Sequence, residues 1–362
     1  HPIRRTHPIR RTHPIRRTHP IRRTHPIRRA EAVAERIVDE LTGGTPRGVV
    51  GLPHGARVTR RYVRQDLPAA SGALDLDSDS VVLVTGGGRG ITARTAVALA
   101  ERYGCHLEIV GRTAPPESAE DAATAGLTDP VELRRALLAA GTGTPAEVER
   151  RLRALLAGRE LRAVLDRLGA HAASVRYHRF DIRDDARLAA TVDEVYRRHG
   201  RIDVVVHGAG TLDDRLIRDK DQAAFTAVYD AKVRSARVLL DALKPDLRLL
   251  LFFSSVSGVF GNRGQADYAA ANDALDTLAL AAADRFTGRT LAVAWGPWAA
   301  AGGGMVSAEL EREYARRGIA VIDPEAGVEA LMREIAEGPR DAHQVLYVAG
   351  DPAPFRPAGF DD

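Results

Sequence analysis

From Val81 onward the chain switches between two hydrophobic periods. VVLVT (81–85) is an unbroken apolar run of strand length. ITARTAVALAERYG (91–104) then repeats its apolar positions every three to four residues, the spacing of one helical face, and closes on Gly104. The pairing recurs along the chain. LEIVGR (107–112), SVRYHRFD (174–181), IDVVVHGAG (202–210), LRLLLFFSS (247–255), TLAVAWGPW (290–298) and QVLYV (344–348) read as further strands. Helical periods fall around 186–199, near 222–243, near 265–286 and at 324–337. Strands alternating with helices in this way join through right-handed crossovers into a parallel sheet covered on both faces. The expected fold class is α/β, a doubly wound parallel sheet.

Residues 113–173 interrupt the alternation, since they are far longer than an ordinary connection. Asp129-Pro130-Val131-Glu132 and Thr144-Pro145-Ala146-Glu147 each place a capping residue, a proline at the first helical position and an acid at the third. The segment is expected to be a helical insertion beside the sheet, serving as a lid, a docking surface or plain structural filling. Upstream, AEAVAERIVDEL (30–41) has an amphipathic helical period that Gly43-Gly44 ends, 48–68 has strand and turn character, and 71–80 is a polar linker. The expected division is a tail at 1–29, a short helix and strand segment at 30–80, a main domain at 81–350 and a C-terminal tail at 351–362.

Composition changes the picture at one end only. The net charge of +4 suggests a polyanionic partner, yet residues 1–30 are a hexapeptide repeat, His-Pro-Ile-Arg-Arg-Thr four times and then His-Pro-Ile-Arg-Arg-Ala, carrying ten arginines and no acid. Without those ten, 42 basic residues face 48 acidic ones, a net of −6. The folded part is acidic, so nucleic acid is not an expected partner, although a basic arm touching phosphates would bind with strong salt dependence. A proline every sixth residue and one isoleucine per repeat predict a disordered tail. The one cysteine, Cys105, excludes a disulfide framework and a cysteine-rich zinc site, and no metal is expected. No apolar run is long enough to span a bilayer, no signal peptide is evident, and a cytoplasmic setting is expected.

Chemistry enters at the ends of the strands. Thr85, Gly86, Gly87, Gly88, Arg89, Gly90 and Ile91 follow the first strand and open a helix. There, glycines admit a pyrophosphate against the backbone and the helix N-terminus favours the anion, as in a Rossmann-type dinucleotide site. An acid that would hold a ribose 2′-hydroxyl is missing from the end of the second strand, where Gly111-Arg112 stands instead. Arg89 and Arg112 suit a 2′-phosphate, which points to NADPH, the other reading of Arg112 being a solvated surface charge. Asp181, followed by Ile182, ends the third strand as an acceptor for the adenine amino group. Gly208, Ala209 and Gly210 end the fourth, where small residues let a cofactor lie on the backbone.

A second set points to proton transfer. Ser255 ends a strand, Tyr268 opens the helix after it, Asn272 lies one turn further on the same face, and Lys232 lies on the helix before that strand. A phenol with a pKa near 10 takes part at neutral pH only with a cation nearby, which Lys232 supplies. In this reading Tyr268 donates the proton, Ser255 holds the carbonyl oxygen, and Asn272 positions a water or the lysine.

With these residues in hand, the chain resembles the short-chain dehydrogenase/reductase superfamily and, within it, the ketoreductase domains of polyketide and polyunsaturated fatty-acid synthases. The resemblance covers about 81–350 and rests on TGGGRGIT (85–92), HGAG (207–210), DAKVRSA (230–236), FFSSVSGVFGNRGQADYAAAN (252–272) and WGPW (295–298), whose Pro297 is a cofactor position. Most of the superfamily places a lysine four residues after the tyrosine. Here that position is Asn272, and the exchange with Lys232 is that of the synthase branch. The resemblance implies NADPH-dependent reduction of a 3-ketoacyl thioester, borne by an acyl carrier protein and accompanied by other synthase domains, to the 3-hydroxyacyl product. It also implies that Leu212, Asp213 and Asp214 steer the substrate toward the D-configured alcohol, with Phe260 where the opposite stereotype carries Trp. The 113–173 segment resembles the fatty-acid synthase type, and 30–80 a remnant of the cofactor-free half that precedes modular ketoreductases. A stand-alone reductase of free small carbonyl compounds and a non-catalytic nucleotide-binding or scaffolding module are the alternatives.

Overall fold

The protein is described here by a computed structural model that places residues 3–8, 26–43, 50–51, 58–59, 62–64, 74–115, 120–141, 143–299, 308–351 and 353–355. Five elements precede the alternating part: β1 (Ile3–Pro8), α1 (Pro26–Gly43), β2 (Val50–Gly51), β3 (Val58–Thr59) and β4 (Tyr62–Arg64). The first half of the alternation is β5 (Val81–Thr85), α2 (Gly90–Tyr103), β6 (His106–Gly111), α3 (Pro130–Ala139), α4 (Pro145–His171) and β7 (Ser174–Arg179). The second half runs α5 (Asp185–His199), β8 (Val204–His207), α6 (Gln222–Tyr229), a π-helical turn at Asp230–Arg234, α7 (Ser235–Ala242) and β9 (Leu249–Ser255). Then follow α8 (Val256–Phe260), α9 (Ala266–Ala281), β10 (Arg289–Trp295), α10 (Ala308–Arg316), α11 (Pro324–Glu337) and β11 (Gln344–Ala349).

Seven strands form the parallel sheet in the order β11-β10-β9-β8-β5-β6-β7. The chain builds outward from β5 through β6 to β7, then restarts with β8 on the other side of β5. Such a reversal leaves a crevice at the carboxyl ends of β5 and β8. Both faces of the sheet are buried, which explains the unbroken apolar runs. Val82, Val84, Leu251 and Phe253 point into one core with Leu99 and Leu168. Their neighbours Val81, Leu83, Leu250 and Phe252 point into the other, with Leu188, Leu239 and Leu275.

The long connection between β6 and β7 is less of an addition than its length suggests. Its 27-residue helix α4 buries Val148, Leu152, Leu161 and Leu168, and Leu168 belongs to the same core as Leu99 of α2. The helix is therefore the crossover itself, lengthened at its start. Both expected caps are present. The Asp129 carboxylate accepts from Val131 N at 2.7 Å, and Thr144 and Glu147 make a reciprocal capping box.

The N-terminal repeat departs from the expectation of disorder. Ile3–Pro8 is a strand, antiparallel to β11 on one side and to β4 on the other. Proline lacks an N–H, but here the two prolines fall just before the strand and at its last residue, leaving the five residues between them free to pair on both edges. Helix α1 starts at Pro26, inside the fifth repeat rather than at Ala30, because proline is tolerated in a first turn whose N–H groups lack partners anyway. Val33, Ile37, Val38 and Leu41 of α1 are at least half exposed, so its amphipathic period does not mark a buried face. Residues 9–25 of the tail, most of 44–73 and the end from 356 lie outside the described residues.

One buried carboxylate links β6 to its neighbours. Glu108 receives His178 Nε2 at 2.6 Å, His199 Nε2 at 2.9 Å and Arg198 Nη1 at 2.7 Å. Burial pushes its pKa up, but these hydrogen bonds together pull it down to about 2 from the ordinary 4.5. A depressed carboxylate stabilises the fold above pH 4.5 and loses that contribution as pH falls toward 2. The shift corresponds to about 3 kcal/mol. Glu108→Gln is expected to lower the unfolding free energy at pH 7 by roughly that amount and to flatten the acid limb of the stability profile, measured by urea unfolding from neutral pH downward. An unchanged acid limb refutes the assignment.

Candidate active site

The carboxyl ends of β5, β6, β8 and β9 open onto a cleft of about 830 Å³. The glycine loop forms its floor. Gly86 has φ +79°, which an L side chain rarely adopts, and a Cβ there would stand 2.7 Å from Ala209 N. A Cβ on Gly208 would collide with the Thr92 side chain, and one on Gly210 would reach within 3.0 Å of Lys232 Cε. The cradle is therefore shaped by missing side chains, as a dinucleotide lying against backbone requires. Gly88, Arg89, Gly90 and Ile91 line the cleft too. Arg112 does so from the end of β6, Asp181 and Ile182 from the turn after β7, and Pro297 from beyond β10. Arg89 and Arg112 are both exposed at the cleft, open to a phosphate. Asp181 is held by Arg183, whose Nε and Nη2 donate at 3.0 and 2.7 Å; the pairing lowers its pKa to about 2, so it stays an acceptor.

Two residues counted with the loop do not reach the cleft. Thr85 is fully buried, its hydroxyl 2.7 Å from His207 Nδ1. Gly87 is packed beneath the loop, where a Cβ would meet Val84 Cγ1 at 2.9 Å and Ile109 Cγ2 at 3.0 Å. Their work is to set the loop on the sheet.

Lys232, Ser255 and Tyr268 meet in the same cleft. Lys232 lies in the π-helical turn between α6 and α7, a one-residue bulge of the kind that often re-aims a functional side chain. It is 4% exposed, its Nζ donates to Phe253 O at 2.8 Å and sits 5.5 Å from the centre of the Tyr268 ring. Burial lowers its pKa to about 8. Tyr268 is likewise buried; burial raises its phenol to about 12, against hydrogen bonds from Ser255 and Asn272 that pull it down, while the Asp214 charge adds to the rise. Ser255 is the last residue of β9, and its Oγ also accepts from Ser257 N at 3.2 Å.

Asn272 lies behind the tyrosine rather than in the cleft. Its Nδ2 donates to Tyr268 O at 2.7 Å, and its Oδ1 is buried with no partner. A buried acceptor left open is costly unless something fills it, and a water or a shifted Lys232 ammonium has the right chemistry. The turn holding Lys232 is anchored by His207, whose Nε2 donates to Lys232 O at 2.9 Å while Nδ1 accepts from Thr85. Burial lowers the His207 pKa to about 4, which keeps that tautomer neutral.

The steering residues divide. Leu212 and Asp214 line the cleft, and Asp214 accepts from Gln265 Nε2 at 3.0 Å, three residues before Tyr268. Asp213 does not; its carboxylate accepts from Arg215 Nε at 2.9 Å. Phe260 also lies outside the cleft, stacked on Phe355 at 6.3 Å and tilted against Tyr62 at 6.1 Å. Among the described residues it reaches the cleft through Phe355, which does line it.

Sequence reasoning missed three contributors. Helix α10 brings Leu310 and Tyr314 to the cleft, from a stretch whose alternating charges read as surface. Lys220 and Asp267 form a buried ion pair at 2.6 Å, with side chains 3% and 1% exposed. Lys220 also donates to Asp213 O, and Asp267 Oδ1 accepts from Tyr268 N at 2.9 Å. The steering loop is thereby tied to the backbone of the tyrosine. The signal available was an aspartate directly before the tyrosine, with its lysine partner 47 positions away.

A family model described as the KR domain matches residues 80–300. Among curated proteins, the chain is 31% identical over 271 residues to a polyunsaturated fatty acid synthase of Thraustochytrium sp., covering 71% of this chain and 10% of that protein. It is 35% identical over 252 residues to erythronolide synthase EryA3 of Saccharopolyspora erythraea, covering 69% and 6%. Among solved structures, PlmKR1, a ketoreductase from the first module of phoslactomycin biosynthesis in Streptomyces sp. HK803, aligns with a TM-score of 0.66 at 27% identity, over 89% of this chain and 65% of that one. An A1-type ketoreductase aligns at 0.67 and 26%, over 90% and 59%. The chain thus spans a tenth or less of those two synthases and some three-fifths of the solved domains.

Asp267→Asn replaces the acceptor facing Lys220 with an amide and leaves a buried ammonium without its counter-charge. The expected loss of stability is roughly 3–5 kcal/mol, read by urea unfolding. A Lys220→Met/Asp267→Asn double variant is expected to lose clearly less than the two single losses summed. Strict additivity in that cycle contradicts a direct pair.

Proposed function

Because the chain belongs to the KR domain family, a branch of the short-chain dehydrogenase/reductase oxidoreductases, we propose that it reduces a 3-ketoacyl thioester to the 3-hydroxyacyl thioester at the expense of NADPH. The acyl group is borne on an acyl carrier protein, and the chain works alongside other synthase domains. The observation that carries this reading is the convergence of Lys232, Ser255 and Tyr268 on one cleft with the glycine cradle. That cradle, with Arg89 and Arg112 at the cleft, fits the cofactor, which when bound supplies the hydride to the carbonyl carbon.

The chain's own residues then manage the oxygen and its proton. The substrate carbonyl oxygen takes hydrogen bonds from the Ser255 and Tyr268 hydroxyls, both at the cleft. With its pKa at about 12, Tyr268 is fully protonated at neutral pH and serves as the acid. As its proton leaves, the growing phenolate charge is met by the Lys232 ammonium 5.5 Å from the ring. Water is kept from the pair by their burial, which strengthens that attraction. Leu212 and Asp214, held to α9 through Gln265 and Lys220, set the side from which the acyl chain enters, and the expected product is the D-configured alcohol.

Tyr268→Phe is expected to lose at least ~100-fold in turnover of a carrier-bound 3-ketoacyl thioester while NADPH binding is retained. Equal turnover of a free thioester mimic would favour a reductase of small carbonyls instead, and L-configured alcohol on chiral chromatography would refute the steering assignment. The lysine also sets a pH limit. A lysine whose pKa is lowered to about 8 carries its charge below that value and loses it above. Turnover of the wild-type domain is therefore expected to decline as pH rises through about 8, measured as kcat at saturating substrate. A level profile up to about pH 10 overturns the role given to the ammonium.

A further inference from the structure

The first amide of the phosphate-binding helix already has an anion on it. Gly90, the opening residue of α2, donates its N–H to Glu160 Oε1 at 3.3 Å, from a residue 70 positions away on α4. Arg89, the N-cap of α2, offers no side-chain hydrogen bond of its own. Glu160 thus does from outside what a capping carboxylate does from within, satisfying an unpaired N–H at the positive end of the helix dipole. The amide it occupies belongs to a loop whose Arg89 and Gly90 both line the cleft.

The carboxylate is held there by the helix that carries it. Arg159 is bound by Glu120 through Nε at 2.9 Å, by Leu127 O at 2.6 Å and by Thr124 O at 2.9 Å. Leu161 is fully buried, with its Cδ1 3.4 Å from where a Cβ on Gly88 would stand. With both neighbours held, the Glu160 charge leaves the amide by rotating its own side chain.

We propose that Glu160 is an internal competitor of the cofactor's diphosphate: it occupies the Gly90 amide in the free protein, is displaced when the dinucleotide binds, and thereby sets the cofactor affinity. This gives the lengthened crossover between β6 and β7 a part in the site. The inference rests on reading the cleft as a nicotinamide dinucleotide site, and it concerns binding alone.

Glu160→Gln keeps the side-chain carbonyl that caps Gly90 and removes the charge, so a capping role and an electrostatic one separate. NADPH is titrated into the purified full chain, following the fluorescence of the bound dihydronicotinamide, at about 20 mM and about 300 mM salt. Glu149→Gln, at another acid of α4 whose exposed pair with Arg134 of α3 it weakens, is the control. The expected result is a Kd for NADPH about three- to tenfold lower in Glu160→Gln, a difference that narrows at the higher salt, with Glu149→Gln matching wild type. A Kd for Glu160→Gln equal to or above that of wild type overturns the proposal. Failure of wild type and both variants alike to bind NADPH overturns the dinucleotide reading beneath it.

Discussion

An ammonium taken out of water beside a phenol is the arrangement around which the rest of this structure is organised. Neither Lys232 nor Tyr268 gains from burial: one loses proton affinity and the other is held to its proton. Such a pair persists only where the surrounding fold over-determines it. Here the supports are specific. The bulged turn aims the lysine at Phe253 O on the central strand β9. His207, bonded to both Thr85 and Lys232 O, locks that turn to β8 and β5. Asn272 fixes the first turn of α9 under the tyrosine. Three strands and two helices thus converge on one small pocket of poorly solvated charge.

The sheet supplies the rigidity this demands. With apolar side chains alternating between two cores along every central strand, a shift of one strand end would disturb both faces at once. The glycine cradle and Ser255 stand where strands stop and the backbone turns, and Lys232 and Tyr268 reach the same rim from the π-helical turn and from α9. Loops over the crevice are tied down in turn by polar contacts, the buried Lys220–Asp267 pair and the exposed Gln265–Asp214 bond among them.

What could be read from the residues follows from how far each interaction reaches along the chain. Strands such as VVLVT and LLLFF announce themselves because both their faces are buried, and the helix starts at Asp129 and Thr144 because capping is local. Lys232, Ser255 and Tyr268 were legible as a set through their order and spacing, and the cleft does hold them together. Phe260 was misplaced because its partners, Tyr62 and Phe355, come from distant ends of the chain. The Lys220–Asp267 pair and the Glu160 contact were invisible for a related reason: charged side chains far apart in sequence read as surface until the fold brings them under cover. The bulge at Asp230–Arg234 breaks helical hydrogen bonding without breaking helical periodicity, so no pattern of apolar positions reveals it.

The strand formed by Ile3–Pro8 carries a consequence of its own. The same six residues recur at 9–14 and again at 15–20, and six is an even number. A shift by one hexapeptide would put the same residue at every register position opposite β11 and β4. Gain or loss of a hexapeptide would then leave the paired strand chemically identical and change only the number of residues between it and the helix that follows.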